Sequence, residues 1–258
     1  MQPRIVDTKR GAHWLADGWK MFRAAPLGWI AIVFAYWFLM TVVSILPLVG
    51  VAAASILVPA FSVGFMAAAR SSAKRGPVEM ALLFDGFRHY LRSQVILGVV
   101  YFACLGMVLA ATTLADDGAL AGWMLTGRRP EEEVLRSDAF LSALALAAAL
   151  YMPVLMMFWF APPLAAWHAT PALKALFFSF FAFLMNWRAF VAYGAVATAA
   201  VAIVPLLALY LFSAIAGPPS RAAAGGMVMV LVLVLMPTLF GSFYASYRDV
   251  FGVPARPA

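Results

Sequence analysis

The chain has 258 residues, of which 65% are hydrophobic and 11% charged, with a mean hydropathy of +0.93. Soluble domains are about half apolar and about a quarter charged, so this composition excludes a water-soluble globule and points to an all-α integral membrane protein. The net charge of +7 comes from 18 Lys and Arg against 11 Asp and Glu. Those bases sit beside apolar stretches, which fits anionic lipid headgroups better than nucleic acid.

The first predicted element lies in "GAHWLADGWKMFRAAP", residues 11–26. Trp14, Leu15, Gly18, Trp19 and Phe22 recur at helical spacing, with His13, Asp17 and Lys20 opposite them. This is the pattern of an amphipathic helix lying in the membrane interface, and Pro26 ends it. A cleaved leader is not expected here. Its apolar run would be about 7–15 residues, and the run that follows is longer and leads at once into a second span.

The spans are marked by stretches without Asp, Glu, Lys, Arg or His, at 24–69, 93–115, 139–167, 189–220 and 222–247. One spanning helix needs about 20 apolar residues. The first stretch therefore holds two helices, turning at "LPLVG" (46–50), where Pro47 and Gly50 suit a tight turn. Six helices are predicted, near 27–46, 50–69, 94–115, 139–167, 188–216 and 226–247, within a single membrane domain.

An even number of spans puts both termini on one side. If that side is inner, 14 of the 18 bases fall on it, among them Lys20, Arg23, Arg88, Arg92, Lys174 and Arg248. Only Arg128, Arg129, Arg136 and Arg221 lie outside, and the outer loop 116–138 carries six acids. The excess of bases in short loops marks the cytoplasmic side, so both termini are expected in the cytoplasm.

Parts of the chain resemble one another. Leu15, Asp17, Gly18, Trp19, Lys20 and Phe22 match Leu83, Asp85, Gly86, Phe87, Arg88 and Tyr90 at an offset of 68. Ser179, Phe180, Phe183 and Phe190 match Gly18, Trp19, Phe22 and Trp29 at an offset of 161. Pro59, Pro163 and Pro237 each precede a base by 11 residues, namely Arg70, Lys174 and Arg248. These matches suggest three repeats, 12–70, 77–174 and 175–250, each with an interfacial helix, a span out and a span back. Chance similarity within a restricted set of residue types is the rival explanation.

Residues that would carry chemistry are scarce. No span centre holds a charged residue or histidine, which argues against proton coupling through a carboxylate. His13, His89 and His168 show no metal-ligand spacing, and no nucleotide loop or nucleophile motif is present. The lone Cys104 cannot form an intrachain disulfide. No catalytic residue, metal or cofactor is expected, and the chain does not read as an enzyme.

Two other features remain. Prolines at 59, 163, 205 and 237, with Met156 and Trp159 in "YMPVLMMFWFAPP" (151–163), could line a cavity between kinked helices. Tolerated prolines in well-packed spans are the simpler explanation. "RRPEEEVLRSD" (128–138) reads as a short outer helix with Glu132 paired to Arg136.

The start "GAHWLADGWKMFRAAPLGW" and the end "GSFYASYRDVFG" together resemble a family of uncharacterised six-span inner-membrane proteins of proteobacteria. The resemblance implies a bacterial inner membrane and a six-helix body, and it carries over no catalytic residue. The expected role is lipid binding or membrane organisation through a basic and aromatic face of Trp14, Trp19, Lys20, Phe22, Arg23, Phe87, Arg88, Arg92, Lys174 and Arg248. A protein partner or a homo-oligomer is compatible with it. The alternative is a facilitator or permease component for a neutral or lipidic solute.

Overall fold

The computed structural model describes residues 2–46, 49–217 and 219–252. Among them the chain forms α1 (Thr8–Ala24), α2 (Pro26–Ser44), α3 (Gly50–Ala73), a 3-10 turn (Met80–Phe84), α4 (Asp85–Arg88), α5 (Leu91–Asp116) and α6 (Ala119–Thr126). There follow α7 (Glu132–Leu135), α8 (Asp138–Phe158), α9 (Ala161–His168), α10 (Ala172–Met185), α11 (Trp187–Ala216) and α12 (Arg221–Phe251). Six segments are long and apolar enough to cross a membrane: α2, α3, α5, α8 with α9, α11 and α12. Pro47, the expected turn residue between the first two, lies outside the described residues.

The fourth span is broken. Pro162 and Pro163 open α9 and lack the N–H groups that would continue α8, so the chain turns at Trp159 and Phe160. Ser179 of α10 repairs the break. Its hydroxyl accepts the Phe160 N–H at 2.9 Å and donates to the Met156 carbonyl at 2.8 Å. In hydrocarbon an unpaired backbone group costs several kcal/mol, so one serine holds a non-helical step at membrane depth.

The core is densest toward the end of the bundle where the termini meet. There the Arg4 N–H donates to the Val250 carbonyl at 2.8 Å. Trp14, Trp29, Phe65, Phe160, Tyr244 and Tyr247 are fully buried in one continuous cluster. At the opposite end, α11 and α12 leave Leu206, Tyr210, Ile215 and Val230 exposed on surfaces that a bilayer would cover.

Three expectations need correction. First, α1 does not turn its aromatic face to lipid. Trp14 is fully buried, with its ring 5.2 Å from Phe190 and 5.9 Å from Tyr193, and Phe22 is buried as well. The reason is close approach. Gly18 lies so near α12 that a Cβ would overlap the Thr238 carbonyl oxygen, and Gly241 faces it across the contact. Most of the amphipathic stripe is thus covered by α11 and α12, while Trp19 stays exposed. Second, Lys174 does not close the returning span. The chain leaves α9 at Ala169 in a left-handed conformation (φ +51°), and Lys174 sits in the first turns of α10. Third, the segment after Pro77 forms a 3-10 turn and a single helical turn rather than one helix, and it breaks again at Tyr90 (φ +52°) before α5.

The loop 116–138 also holds more structure than expected. The Asp116 carboxylate accepts the N–H groups of Gly118 and Leu120, which starts α6. Leu120 then packs with Phe140 and Ala143 of α8 in a small second core. Glu132 reaches Arg136 only at 3.9 Å, while Arg129 contacts it at 2.6 Å.

Candidate functional site

The charged residues of α1 and α12 lock together at the terminal end. Arg10 Nε lies 2.5 Å from Asp249 Oδ2, and Arg10 Nη2 lies 2.6 Å from Asp17 Oδ2. Arg248 spans the same two acids at 3.3 Å each, and the Trp14 indole donates to Asp249 at 2.9 Å. Lys20 adds a contact to Asp17 at 3.1 Å. Burial works against the Asp17 carboxylate, but hydrogen bonds from Arg10 and Lys20 outweigh it and hold its carboxyl below the ordinary value. The bond to Asp249 leads in raising the Arg10 guanidinium above its own. Arg248, expected at a lipid interface, is therefore partly committed to this lock.

Outside the lock the same end is lined with free cations. Arg23, Arg88, Arg92 and Lys174 are exposed, and none of them takes part in an ion pair among the described residues. Lys20 keeps a largely exposed side chain. Trp19 is 42% exposed, which leaves it as the one tryptophan of α1 available to lipid. Phe87 is half-buried against Phe61, 4.9 Å away.

A cavity lies against part of the proline-bearing spans. A largely apolar space of about 270 Å³ opens between α3, α5, the break after α8, and α12. Pro59 and Trp159, two of the candidate lining residues, line it together with Phe240 and Phe243. Met156, Pro163, Pro205 and Pro237 do not line it. Met156 packs against the main core instead, and Pro163 and Pro237 are buried within helix packing. The polar groups on the wall are engaged already: Tyr101 and Tyr151 hydroxyls meet at 3.2 Å, and the Trp159 indole donates to Ser246 at 3.1 Å.

Sequence reasoning did not find Asp249, Gln94 or the tyrosine pair, and it placed Ser179 only as a repeat position, not as the bridge across the helix break. Gln94 is buried inside a span, donates to the Pro162 carbonyl at 2.9 Å and leaves its Oε1 without a partner among the described residues. A lone glutamine two residues into an uncharged stretch was the available signal. Among the described residues, no group of three or more His, Cys, Asp or Glu could hold a metal ion.

Six apolar spans, uncharged at their centres and closed at one end by an ion-paired helix, define a multi-pass α-helical membrane protein. The chain is 38% identical, over 265 aligned positions covering 100% of it and 97% of the relative, to a probable inner membrane protein of Burkholderia thailandensis. It belongs to that family of multi-pass inner-membrane proteins. No protein-family model and no solved structure matches the chain.

Proposed function

We propose that this protein is a non-catalytic, lipid-binding element that helps organise the inner membrane, with the end carrying both termini facing the cytoplasm and anionic headgroups. The observation that carries this reading is the set of exposed cations Arg23, Arg88, Arg92 and Lys174, none ion-paired among the described residues, around a helix-capped core. Juxtamembrane bases of this kind attract anionic lipid by about 1 kcal/mol each. The protein in nanodiscs of mixed lipids should therefore enrich anionic species in its shell, and the enrichment should fall as salt rises. Orientation is tested separately. In intact spheroplasts of a Cys104→Ala background, a membrane-impermeant maleimide should label Gly127→Cys and not Lys9→Cys.

The threefold repeat belongs to the same reading. Gly18 packs on the Thr238 carbonyl, one residue after Pro237, and Gly86 packs on the Ala60 carbonyl, one residue after Pro59. Ser179, aligned with both, sits in the break between α8 and α9. Each of these segments thus rests on the returning span of another repeat, with α1 closing the ring on α12.

A second reading, a facilitator for a neutral or lipidic solute, draws support from the cavity, which is walled by all three returning spans. Filling it with Ser62→Phe should abolish solute flux if that reading holds and leave anionic-lipid enrichment unchanged.

A further inference from the structure

We propose that the pocket between α1, the end of α3 and α12 is a binding site for a phosphate group, supplied in the membrane by the headgroup of one phospholipid. This rests on the reading of the terminal end as a lipid-binding face, and it gives that face one defined seat.

The pocket encloses about 320 Å³ and brings Lys20, Arg75 and Arg248 together from three separate segments, against the single carboxylate of Asp17. Both Asp17 oxygens are occupied, Oδ2 by Arg10 from outside the pocket and Oδ1 by Lys20. The donors are less fully used. Lys20 has one partner at 3.1 Å, and Arg248 makes two contacts of 3.3 Å each. Arg75 has no ion pair among the described residues. A guanidinium carries five N–H donors and a lysine three, so the pocket presents an excess of charged donors suited to a phosphate.

The backbone of Arg75 points the same way. It adopts φ +56°, a left-handed conformation that costs any residue except glycine, and Gly76 stands directly beside it. Arg75 donates its N–H to the Ser72 carbonyl, and Gly76 donates to that of Ser71, both at 2.9 Å, so the turn is fixed. An arginine in this conformation is explained if its side chain is needed where the turn aims it.

The depth of the site favours a lipid. Ala24 and Ala73 form part of the wall; the first lies two residues before the α2 span and the second ends the α3 span. The pocket therefore lies at the membrane boundary, where headgroup phosphates are concentrated.

The test uses native mass spectrometry of the full chain, ejected from phosphatidylcholine nanodiscs containing a minor share of phosphatidic acid. Arg75→Gly removes the guanidinium and suits the positive φ, so the turn survives. The expected result is one phosphatidic acid retained per protein. Retention should fall about tenfold in Arg75→Gly and in Lys20→Ala, as for loss of one charge-assisted hydrogen bond. It should hold in Arg88→Ala/Arg92→Ala, whose side chains lie outside the pocket. Binding of glycerol phosphate that Arg75→Gly weakens, without retained lipid, would support the same site with a soluble occupant. Retention in Arg75→Gly equal to the unaltered chain, with anionic enrichment lost only on neutralising Arg23, Arg88, Arg92 and Lys174, would overturn the site and leave the broader reading standing. Absence of any anionic preference would overturn both.

Discussion

Arg10 and Asp249 are 239 positions apart in the chain, yet their side chains meet at 2.5 Å and share the contact with Trp14, Asp17 and Arg248. The first helix and the last turns of the final span are thereby held together. Asp249→Ala would take from Arg10 and Arg248 one of their two carboxylate partners and leave the Trp14 indole N–H without its acceptor. A loss of about 3 kcal/mol is expected, within the range for breaking partly buried pairs. Thermal unfolding in detergent, followed by circular dichroism, measures it, and Asp249→Asn should recover only the part owed to the indole bond.

The same cluster fixes an acid limit. Asp17 is held below its ordinary value, so its stabilisation is fully present above about pH 3.9. It is lost as pH falls through the lowered folded-state value. The unaltered protein should therefore keep its neutral-pH stability down to mild acid and lose it below that. Asp17→Asn should be less stable at neutral pH and should show a shallower decline in acid, as read by melting temperature across a pH series.

Gly18 and Gly106 make a matched pair for close packing. A Cβ at Gly18 would overlap the backbone of α12, whereas nothing lies within 4 Å of one built at Gly106. Gly18→Ala should destabilise by about 2 kcal/mol or abolish the folded state, because backbone cannot move aside as a side chain can. Gly106→Ala should be neutral or slightly stabilising, since it replaces a mid-helix glycine. Yield of monodisperse protein and unfolding temperature separate the two.

Ser179→Ala should cost about 1–3 kcal/mol, because the Phe160 N–H and the Met156 carbonyl both lose their partner in an apolar setting. Hydrogen exchange should rise at Phe160 specifically. Unchanged protection there would show that the break is held by other contacts.

These cases mark how far the sequence could be read. The six spans were legible because charge is excluded from hydrocarbon, and gaps in charge reveal that exclusion directly. The stripe of Trp14, Leu15, Gly18, Trp19 and Phe22 does lie on one helix, α1, with Trp14, Gly18 and Phe22 buried. Periodicity reports that a face is buried and not by what, so protein cover was read as lipid cover. The double proline signalled a disturbance near residue 160. Its repair by Ser179 depends on how α10 packs, which no local pattern encodes. Similarly, Asp17 was visible as a charge on a helix face, while its bond to Arg248, 231 positions away, exists only in the folded chain. Arg75 was counted as one more base in a short loop, because its positive φ has no signature beyond the neighbouring glycine.

The most direct test of the central claim is the lipid shell retained by the full chain in nanodiscs of mixed zwitterionic and anionic lipid. The unaltered protein is compared with the variant carrying Arg23→Gln, Arg88→Gln, Arg92→Gln and Lys174→Gln. The account predicts a shell enriched in anionic lipid around the first and, around the second, one close to the bulk mixture apart from the single lipid seated in the pocket of Lys20, Arg75 and Arg248, with equal unfolding temperatures. The same enrichment in both proteins, or a bulk-like shell around the unaltered one, would contradict it.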